Sequence, residues 1–253
     1  MTKYIIAVLN QKGGVGKTTT TINLAAFLAH ANRRVLVVDL DPQGNTTSGL
    51  GVDKQTLDST LYDVLFSRAQ ATDVIREVTS HGLFLLPANA QLAAAEVELV
   101  SVMNREQQLK QILQRLDYDI ILIDCPPSLG LLSINALTAA AEVLIPVQTE
   151  YYALEGLSQL LSVIGQVRQA LNPSLNILGM ILTMYDSRTS LSEQVKQELD
   201  KHFGAKVFKT VIPRNVRLAE APSFGKTIAE HDKWSKGARA YKALAKEVEK
   251  RLT

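Results

Sequence analysis

The sequence predicts an α/β fold in three layers, a mostly parallel, twisted sheet with helices on both faces. Short apolar, β-branched runs alternate with longer helical patterns along the chain, the order that builds βα units. Most of these runs lack polar alternation, as strands covered on both faces should. The 253 residues, 46% hydrophobic and 21% charged, suffice for one large α/β domain or at most two small ones. There is no internal repeat, low-complexity tract or Pro/Gly-rich linker, so a single domain over residues 1–253 is expected.

The first predicted strand, residues 4–9, is the run Tyr4-Ile-Ile-Ala-Val-Leu9, and the Gly-rich stretch after it opens a Thr-, Ala- and Leu-rich helix over 17–31. Val35-Leu-Val-Val38 is the second strand. Residues 49–95 interrupt the pattern: small polar turns such as Gly49-Leu-Gly-Val-Asp53 leave room for a short helix at 61–66 and a strand at 83–86. A helix over 105–116, a strand over 120–123, a helix over 129–140 and a strand over 143–147 restore it. Helices at 154–171, 191–203 and 235–252 then alternate with strands at 177–182 and 207–212. Right-handed crossovers would distribute the helices over both faces.

Composition removes several classes of function. A single cysteine, Cys125, excludes an intramolecular disulfide framework and, within one chain, a Cys-rich metal site or iron–sulfur ligand set. No thiolate-stabilising pattern surrounds it, so it reads as a small buried thiol. The apolar run at the N-terminus is too short for a signal peptide, and no stretch approaches the roughly 18 apolar residues of a membrane span. A cytosolic protein is expected. The net charge of +2 hides an asymmetry: residues 1–185 hold 12 Lys+Arg against 16 Asp+Glu, and residues 186–253 hold 15 against 9. Such a basic last quarter suits a face that meets nucleic acid or acidic lipid, and equally a solvated helical surface.

The chemistry begins at Lys12-Gly13-Gly14-Val15-Gly16-Lys17-Thr18-Thr19, a Gly-rich loop between a predicted strand and a predicted helix. Glycines there let successive N–H groups face phosphate oxygens at a helix N-terminus, Lys17 would reach the β- and γ-phosphates, and the Thr18 hydroxyl would ligate Mg²⁺. Thr19 is left for a further phosphate contact. In open parallel sheets ligands lie at the carboxyl ends of strands. Two of those ends carry aspartates: Asp39 and Asp41 after the second strand, and Asp124 after the run Ile120-Ile-Leu-Ile123. An aspartate closing an apolar strand needs a cation or donors. Asp124 therefore fits a Walker B acid holding Mg²⁺ through water, Asp39 a neighbour of that site, and Asp41 a group near the γ-phosphate. The competing reading of Asp39 and Asp41 is a turn, since Asp-Pro-Gln-Gly is a turn signal.

The loop departs from the common Walker A pattern, with Gln11 in place of the first glycine and the extra Lys12 before Gly13. This is the deviant Walker A form, and here the sequence resembles the ParA/MinD superfamily of ATPases, expected to carry a three-layer P-loop fold. The resemblance extends over essentially the whole chain. Val38-Asp-Leu-Asp-Pro-Gln-Gly-Asn45, Asp124-Cys-Pro-Pro-Ser-Leu-Gly130, Pro146-Val-Gln-Thr-Glu-Tyr-Tyr-Ala-Leu-Glu-Gly156 and Ile212-Pro-Arg-Asn-Val-Arg-Leu-Ala-Glu-Ala-Pro-Ser223 are similar to the ParA/Soj branch, the chromosome-type partition ATPases. It implies ATP and Mg²⁺ as cofactors, Lys12 as a lysine that crosses to the partner's nucleotide in an ATP-sandwich homodimer, and Asp41 as the residue that positions the attacking water. Met184, Pro213 and Asn215 would border the adenine. Arg188 and Arg217 match the arginines that contact nonspecific double-stranded DNA, and a ParB/Spo0J-type centromere-binding protein would stimulate a weak hydrolysis. The protein would be cytoplasmic, and nucleoid-associated when ATP-bound.

The residues around the arginines agree with that reading. Ser190-Leu-Ser-Glu193 reads as a capping box that would hold Arg188 outward from a rigid helix start. Lys196, Lys201, Lys233 and Lys236 are possible further phosphate contacts. Arg217 has a competing partner in Glu220, three residues on. The alternative from a sister branch is a MinD-type membrane-cycling ATPase. Its C-terminal targeting helix is not matched: Tyr241, Leu244, Ala245, Val248 and Leu252 form a stripe without Phe or Trp, as in a helix packed on its own domain, so no membrane partner is expected. A metabolic ligase related to dethiobiotin synthetase would need a second substrate pocket, for which no residues stand out. The N-terminal helix-turn-helix of larger plasmid relatives is not expected either, since the first strand starts at Tyr4.

Overall fold

The computed structural model describes residues 3–79, 81–150 and 155–252. Within them the chain runs β1 (Tyr4–Val8), α1 (Lys17–Ala29), β2 (Val35–Asp39), α2 (Asn45–Gly49), α3 (Leu61–Leu65), α4 (Ala71–Val74), β3 (Arg76–Thr79), β4 (Leu83–Leu86) and α5 (Ala95–Glu98). There follow α6 (Gln108–Gln114), β5 (Ile120–Asp124), α7 (Leu131–Ala139), β6 (Glu142–Gln148), α8 (Glu155–Ala170), β7 (Asn176–Tyr185) and α9 (Ser190–Phe203). The chain closes with β8 (Val207–Pro213), α10 (Val216–Glu220), α11 (Ile228–His231) and α12 (Lys236–Leu252).

The eight strands form one sheet in the order β3-β4-β2-β5-β1-β6-β7-β8. Every neighbouring pair is parallel except β3 with β4. Because side chains alternate along a strand, β1 feeds two cores: Ile5 and Ala7 point to one face, Ile6 and Val8 to the other. The first face is covered by Leu109 and Leu113 of α6, Leu132 and Ala136 of α7, and Leu160 and Ile164 of α8. The second is covered by Ile22, Leu24 and Leu28 of α1 and by Tyr241, Leu244 and Val248 of α12. Three layers with a mostly parallel sheet result, as the uninterrupted apolar runs predict. The stripe of α12 packs on its own sheet, with Leu252 against the same core. Among the described residues, no helix is long and apolar enough to cross a membrane.

Local departures have local causes. β3 has no counterpart among the predicted strands: it is an exposed, antiparallel edge strand of sequence Arg-Glu-Val-Thr, with no apolar run to reveal it. The helix predicted over 105–116 begins as a 3₁₀ turn at Arg105–Gln107, started by Asn104 in a left-handed conformation (φ 53°). β7 outlasts its apolar core and carries Met184 and Tyr185 at its end. The capping box predicted at Ser190 does not form. Thr189 is the N-cap of α9 and accepts the Ser192 N–H, while Glu193 is taken up by the Tyr185 hydroxyl at 2.8 Å. Residues 151–154, part of one family-like motif and the start of the predicted 154–171 helix, lie outside the described residues.

Candidate nucleotide site

The parallel strands end on one edge of the sheet, and the loop from Gln11 to Gly16 crosses that edge between β1 and α1. Gly14 (φ 74°) and Gly16 (φ 88°) take left-handed conformations, which a side chain would strain. Gly16 is also the cap of α1. Gly13 and Gly14 have open space where a Cβ would stand, so the outside of the loop is free for a ligand. Val15 is buried and its carbonyl accepts the Thr183 hydroxyl of β7 at 2.8 Å, which anchors the loop to the sheet. Lys17 is nearly buried and folds back over the loop to donate to the Lys12 carbonyl at 3.2 Å. Burial lowers its pKa, against the attraction of Asp124, Cys125 and Asp41. An amine held in that balance gains when phosphate oxygens replace the carbonyl.

Two carboxylates stand side by side behind it. Asp39 and Asp124 are register partners at the ends of β2 and β5, and both are fully buried. Asp124 Oδ2 accepts the hydroxyls of Thr18 (2.7 Å) and Thr46 (2.6 Å), and its Oδ1 accepts that of Thr21 at 3.4 Å. Asp39 Oδ2 accepts the N–H (2.8 Å) and hydroxyl (2.7 Å) of Thr47, and its Oδ1 accepts the N–H of Asp41 at 3.3 Å. Burial, and then the charge of Asp124, push Asp39 up to about 8. Burial pushes Asp124 up to about 6, against the Thr46 and Thr18 hydroxyls and Lys17. Paired acids that resist ionisation beside a threonine hydroxyl are relieved by a cation. Hard oxygen donors in small number suit Mg²⁺, which keeps several waters of its own. Asp41 lies beyond them at the edge of burial, its carboxylate accepting the Gln43 N–H at 2.9 Å. It thus takes part in the turn and borders the site at once. Cys125 is buried with its pKa raised by desolvation, as an inert thiol should be.

Beside the loop opens a cavity of about 320 Å³, mostly apolar, lined among others by Gly16, Thr19, Met184, Pro213, Asn215 and Tyr241. A purine-sized group fits such a space. All three residues expected at the base are in this wall. Met184 holds a left-handed φ of 51°, unusual for a side chain of its size and the kind of strain found at binding sites. Asn215 spends its side-chain oxygen capping α10 at Leu218 N–H (3.3 Å), which leaves its amide N–H groups without that duty. Tyr241 links this wall to α1, its buried hydroxyl 3.1 Å from that of Thr20.

Lys12 points away from Lys17. Its ammonium meets Glu150 at 2.7 Å with both side chains half-exposed, and its N–H donates to Asn10 Oδ1 at 3.0 Å. Asn10 in turn donates to the Pro146 carbonyl of β6 at 2.7 Å. Arg188 and Arg217 leave the same edge, three residues past Tyr185 and four past Pro213, which are register partners on β7 and β8. Arg188 is 86% exposed and pairs bidentately with Asp186 at 2.7 and 2.9 Å, which holds that carboxyl far below its usual range. Arg217 does make the pair with Glu220 (2.9 Å), and a looser one with Asp232 (3.8 Å).

Four participants escape sequence reasoning. Thr46 and Thr47 hold the two acids, Thr183 braces the loop, and Glu150 holds Lys12. For Thr46 and Thr47 the sequence offered only the polar run Asn45-Thr-Thr-Ser48 directly after the aspartate turn, and for Thr183 it offered nothing.

Comparison with known proteins agrees with this geometry. The family model of an AAA domain matches residues 3–177. The sporulation initiation inhibitor protein Soj of Bacillus subtilis (strain 168) is 57% identical over 246 residues, 96% of this chain and 97% of that protein. The chromosome partitioning protein ParA of Myxococcus xanthus (strain DK1622) is 53% identical over 251 residues, 98% of this chain and 89% of that protein. Among solved structures, a cobyrinic acid a,c-diamide synthase from Mycobacterium smegmatis, with bound ATP analog and magnesium, superposes with a TM-score of 0.85 at 41% identity. It covers 97% of this chain and 93% of that one.

Proposed function

The chain belongs to the Soj/ParA family of chromosome-partitioning P-loop ATPases, and on that premise we propose that it is a DNA-partition switch driven by ATP. In this reading the N–H groups of Gly13, Gly14, Val15 and Gly16 cradle the triphosphate. Lys17 neutralises its β- and γ-oxygens, and Thr19 adds a contact. Thr18, Asp124 and Asp39 hold Mg²⁺, directly or through water, and the metal supplies charge neutralisation at the phosphates. Asp41 orients the attacking water. Met184, Pro213 and Asn215 border the adenine. Lys12 leaves Glu150 to reach the nucleotide of a second copy, and the resulting dimer places Arg188 and Arg217 against the phosphates of nonspecific double-stranded DNA. Slow hydrolysis, stimulated by a ParB/Spo0J-type centromere-binding protein, releases it. The whole of residues 1–253 acts as one ATPase domain, in the cytoplasm and on the nucleoid when ATP-bound.

The observation that carries this reading is the buried Asp39/Asp124 pair set against the Thr18 hydroxyl at the mouth of a glycine loop. Two carboxylates buried together without a counter-charge are costly to the fold, and a cation beside phosphates offsets that cost. The greater identity to the Soj and ParA relatives than to the diamide synthase supports partition over ligase chemistry. The packing of α12 on its own sheet supports DNA over a membrane as the surface visited.

The test uses the whole protein with ATP or ADP, read by light scattering and by retention on a DNA column. ATP and not ADP is expected to give a dimer that is retained. Asp41→Ala is expected to bind ATP and stay on DNA, with turnover roughly 100-fold down, the scale of losing one group that stabilises a transition state. A wild-type chain that stays monomeric and off DNA with ATP would sink the partition reading. Hydrolysis by Asp41→Ala at the parental rate would remove Asp41 from it.

A further inference from the structure

Two large aromatic rings stand in solvent beside Arg217. Trp234, the single tryptophan of the chain, is 76% exposed, and Phe224 is 65% exposed. They join the arginine through a continuous chain of contacts. Phe224 stacks on His231 with ring centroids 5.2 Å apart, and His231 lies 3.7 Å from Glu220, the partner of Arg217. Asp232, the second partner of Arg217, accepts the backbone N–H of Trp234 at 3.2 Å. Lys233 sits 5.4 Å from the indole centroid, and Lys226 and Lys236 flank the two rings in sequence.

This is a built surface. Phe224 belongs to a 3₁₀ turn ended by Gly225 in a left-handed conformation, and Gly225 lies against the backbone of Gly51. The segment is pinned again where the Ile228 N–H donates to Asn23 of α1 at 2.7 Å. A capping box joins Thr227 to Glu230, and Ser235 bonds the Asp232 carbonyl at 2.8 Å before α12 begins. Rings held by so fixed a backbone in water are exposed at a standing cost, since each would bury well over 100 Å² of apolar surface on contact.

We propose that Trp234 and Phe224 are DNA contacts, apolar supports that pack on the sugar–phosphate edge of a duplex while Arg217 and the neighbouring lysines meet its phosphates. This rests on the partition reading and extends its interface from charge to packing. Charge complementarity favours a duplex: residues 214–239 hold six Lys+Arg against three Asp+Glu. The carboxylates of Glu220 and Asp232 belong to the same network of contacts as the rings, and sinking that paired network into acyl chains would carry a large desolvation penalty. A groove edge of a duplex offers apolar deoxyribose faces beside phosphates, and the indole N–H can donate to a phosphate without reading a base. Packing of that kind is indifferent to sequence, as nonspecific binding requires.

The single tryptophan makes the test direct. Fluorescence of the full chain is followed with ATP and Mg²⁺ alone, with a duplex of mixed sequence, and with vesicles of anionic phospholipid. The duplex is expected to shift the emission and cut quenching by acrylamide at least about twofold, whereas nucleotide alone and vesicles leave both unchanged. Trp234→Ala and Phe224→Ala are each expected to weaken DNA binding roughly five- to thirtyfold, the scale of losing one aromatic ring's buried apolar contact. The slope of log affinity against log salt should stay as in the wild type, because neither ring carries a charge that neutralises a phosphate. A shift with nucleotide alone would assign the rings to the contact between copies, and a shift with vesicles to a membrane; either overturns the proposal. So does wild-type DNA binding that leaves the tryptophan and both variants unaffected, and in that case the partition reading survives. A wild-type chain that binds no DNA with ATP overturns both.

Discussion

Asp39 has no water-exposed surface and faces a second carboxylate across the β2–β5 pairing, and both features favour its protonated form in the nucleotide-free fold. With its pKa raised from 3.8 to about 8, the folded chain keeps a proton that the unfolded chain releases. That stability is fully present below the unfolded pKa and is lost as pH rises toward 8; Asp124 adds the same sign between 3.8 and about 6. In chelator and without nucleotide, Asp39→Asn, which keeps an oxygen for the two Thr47 donors and cannot ionise, is expected to raise Tm over wild type at pH 8. The gain should be a few degrees, about 2–4 °C for each kcal/mol in a chain of this size, and should vanish near pH 4. A variant less stable by the same margin at both pH values would show that the carboxyl is ionised in the fold. At this scale the sequence displayed the acids through position alone, an aspartate closing an apolar strand. Their partners were hidden because Thr46 and Thr18 reach Asp124 across 78 and 106 residues of chain, and no local pattern encodes such a bond. Arg188 shows the opposite error. A local motif, Ser190 to Glu193, is outcompeted by Thr189 as cap and by the Tyr185 hydroxyl as partner of Glu193.

At the scale of elements, what the sequence revealed was whatever the core dictates. β1, β2, β5, β6 and the helices that cover them are written as apolar runs and stripes because two hydrophobic faces select them. Elements outside the core left no such trace: β3 is polar and at the edge, α2 is a five-residue turn that follows a left-handed Gly44, and α10 is a five-residue turn capped by Asn215. One close backbone contact joins two of these regions. Gly51, just after α2, and Gly225, before α11, both have positive φ, and a Cβ on Gly225 would stand 2.6 Å from the Gly51 Cα. Neither backbone can move aside cheaply, since Thr46 is tied to Asp124 and Ile228 to Asn23. Gly225→Ala is therefore expected to cost roughly 2 kcal/mol or more, about 1–2 from the left-handed backbone and the rest from the clash. Urea denaturation measures it. The loss should exceed that of Gly204→Ala, which also has positive φ (48°) but open space around it. Equal losses would mean that the Gly51–Gly225 approach carries no strain.

Over the whole molecule, the parallel sheet puts the glycine loop, the acids and both arginines on one edge, while the basic excess of the last quarter is carried by segments that follow β7 and β8. Nucleotide and DNA would then be met by the same edge through different residues, so the two affinities should separate under mutation. Arg188 and Arg217 are both held by acids of their own neighbourhood, and a phosphate must compete with Asp186, Glu220 and Asp232 for them. Exposed pairs of this kind are worth about 1 kcal/mol or less, so a polyanion can exchange partners with them at little cost. Substituting both arginines by Glu removes two phosphate contacts and adds repulsion. The slope of log affinity against log salt should fall by about 1.8, at 0.9 for each phosphate, and DNA retention at physiological salt should be lost. ATP affinity should hold within about twofold, because neither residue touches the glycine loop or the acids that border it. Filter binding across a salt series, beside nucleotide titration on the same protein, measures both. An unchanged salt slope would place the DNA on another face, and a parallel loss of ATP affinity would mean that the two surfaces on this edge are not separable.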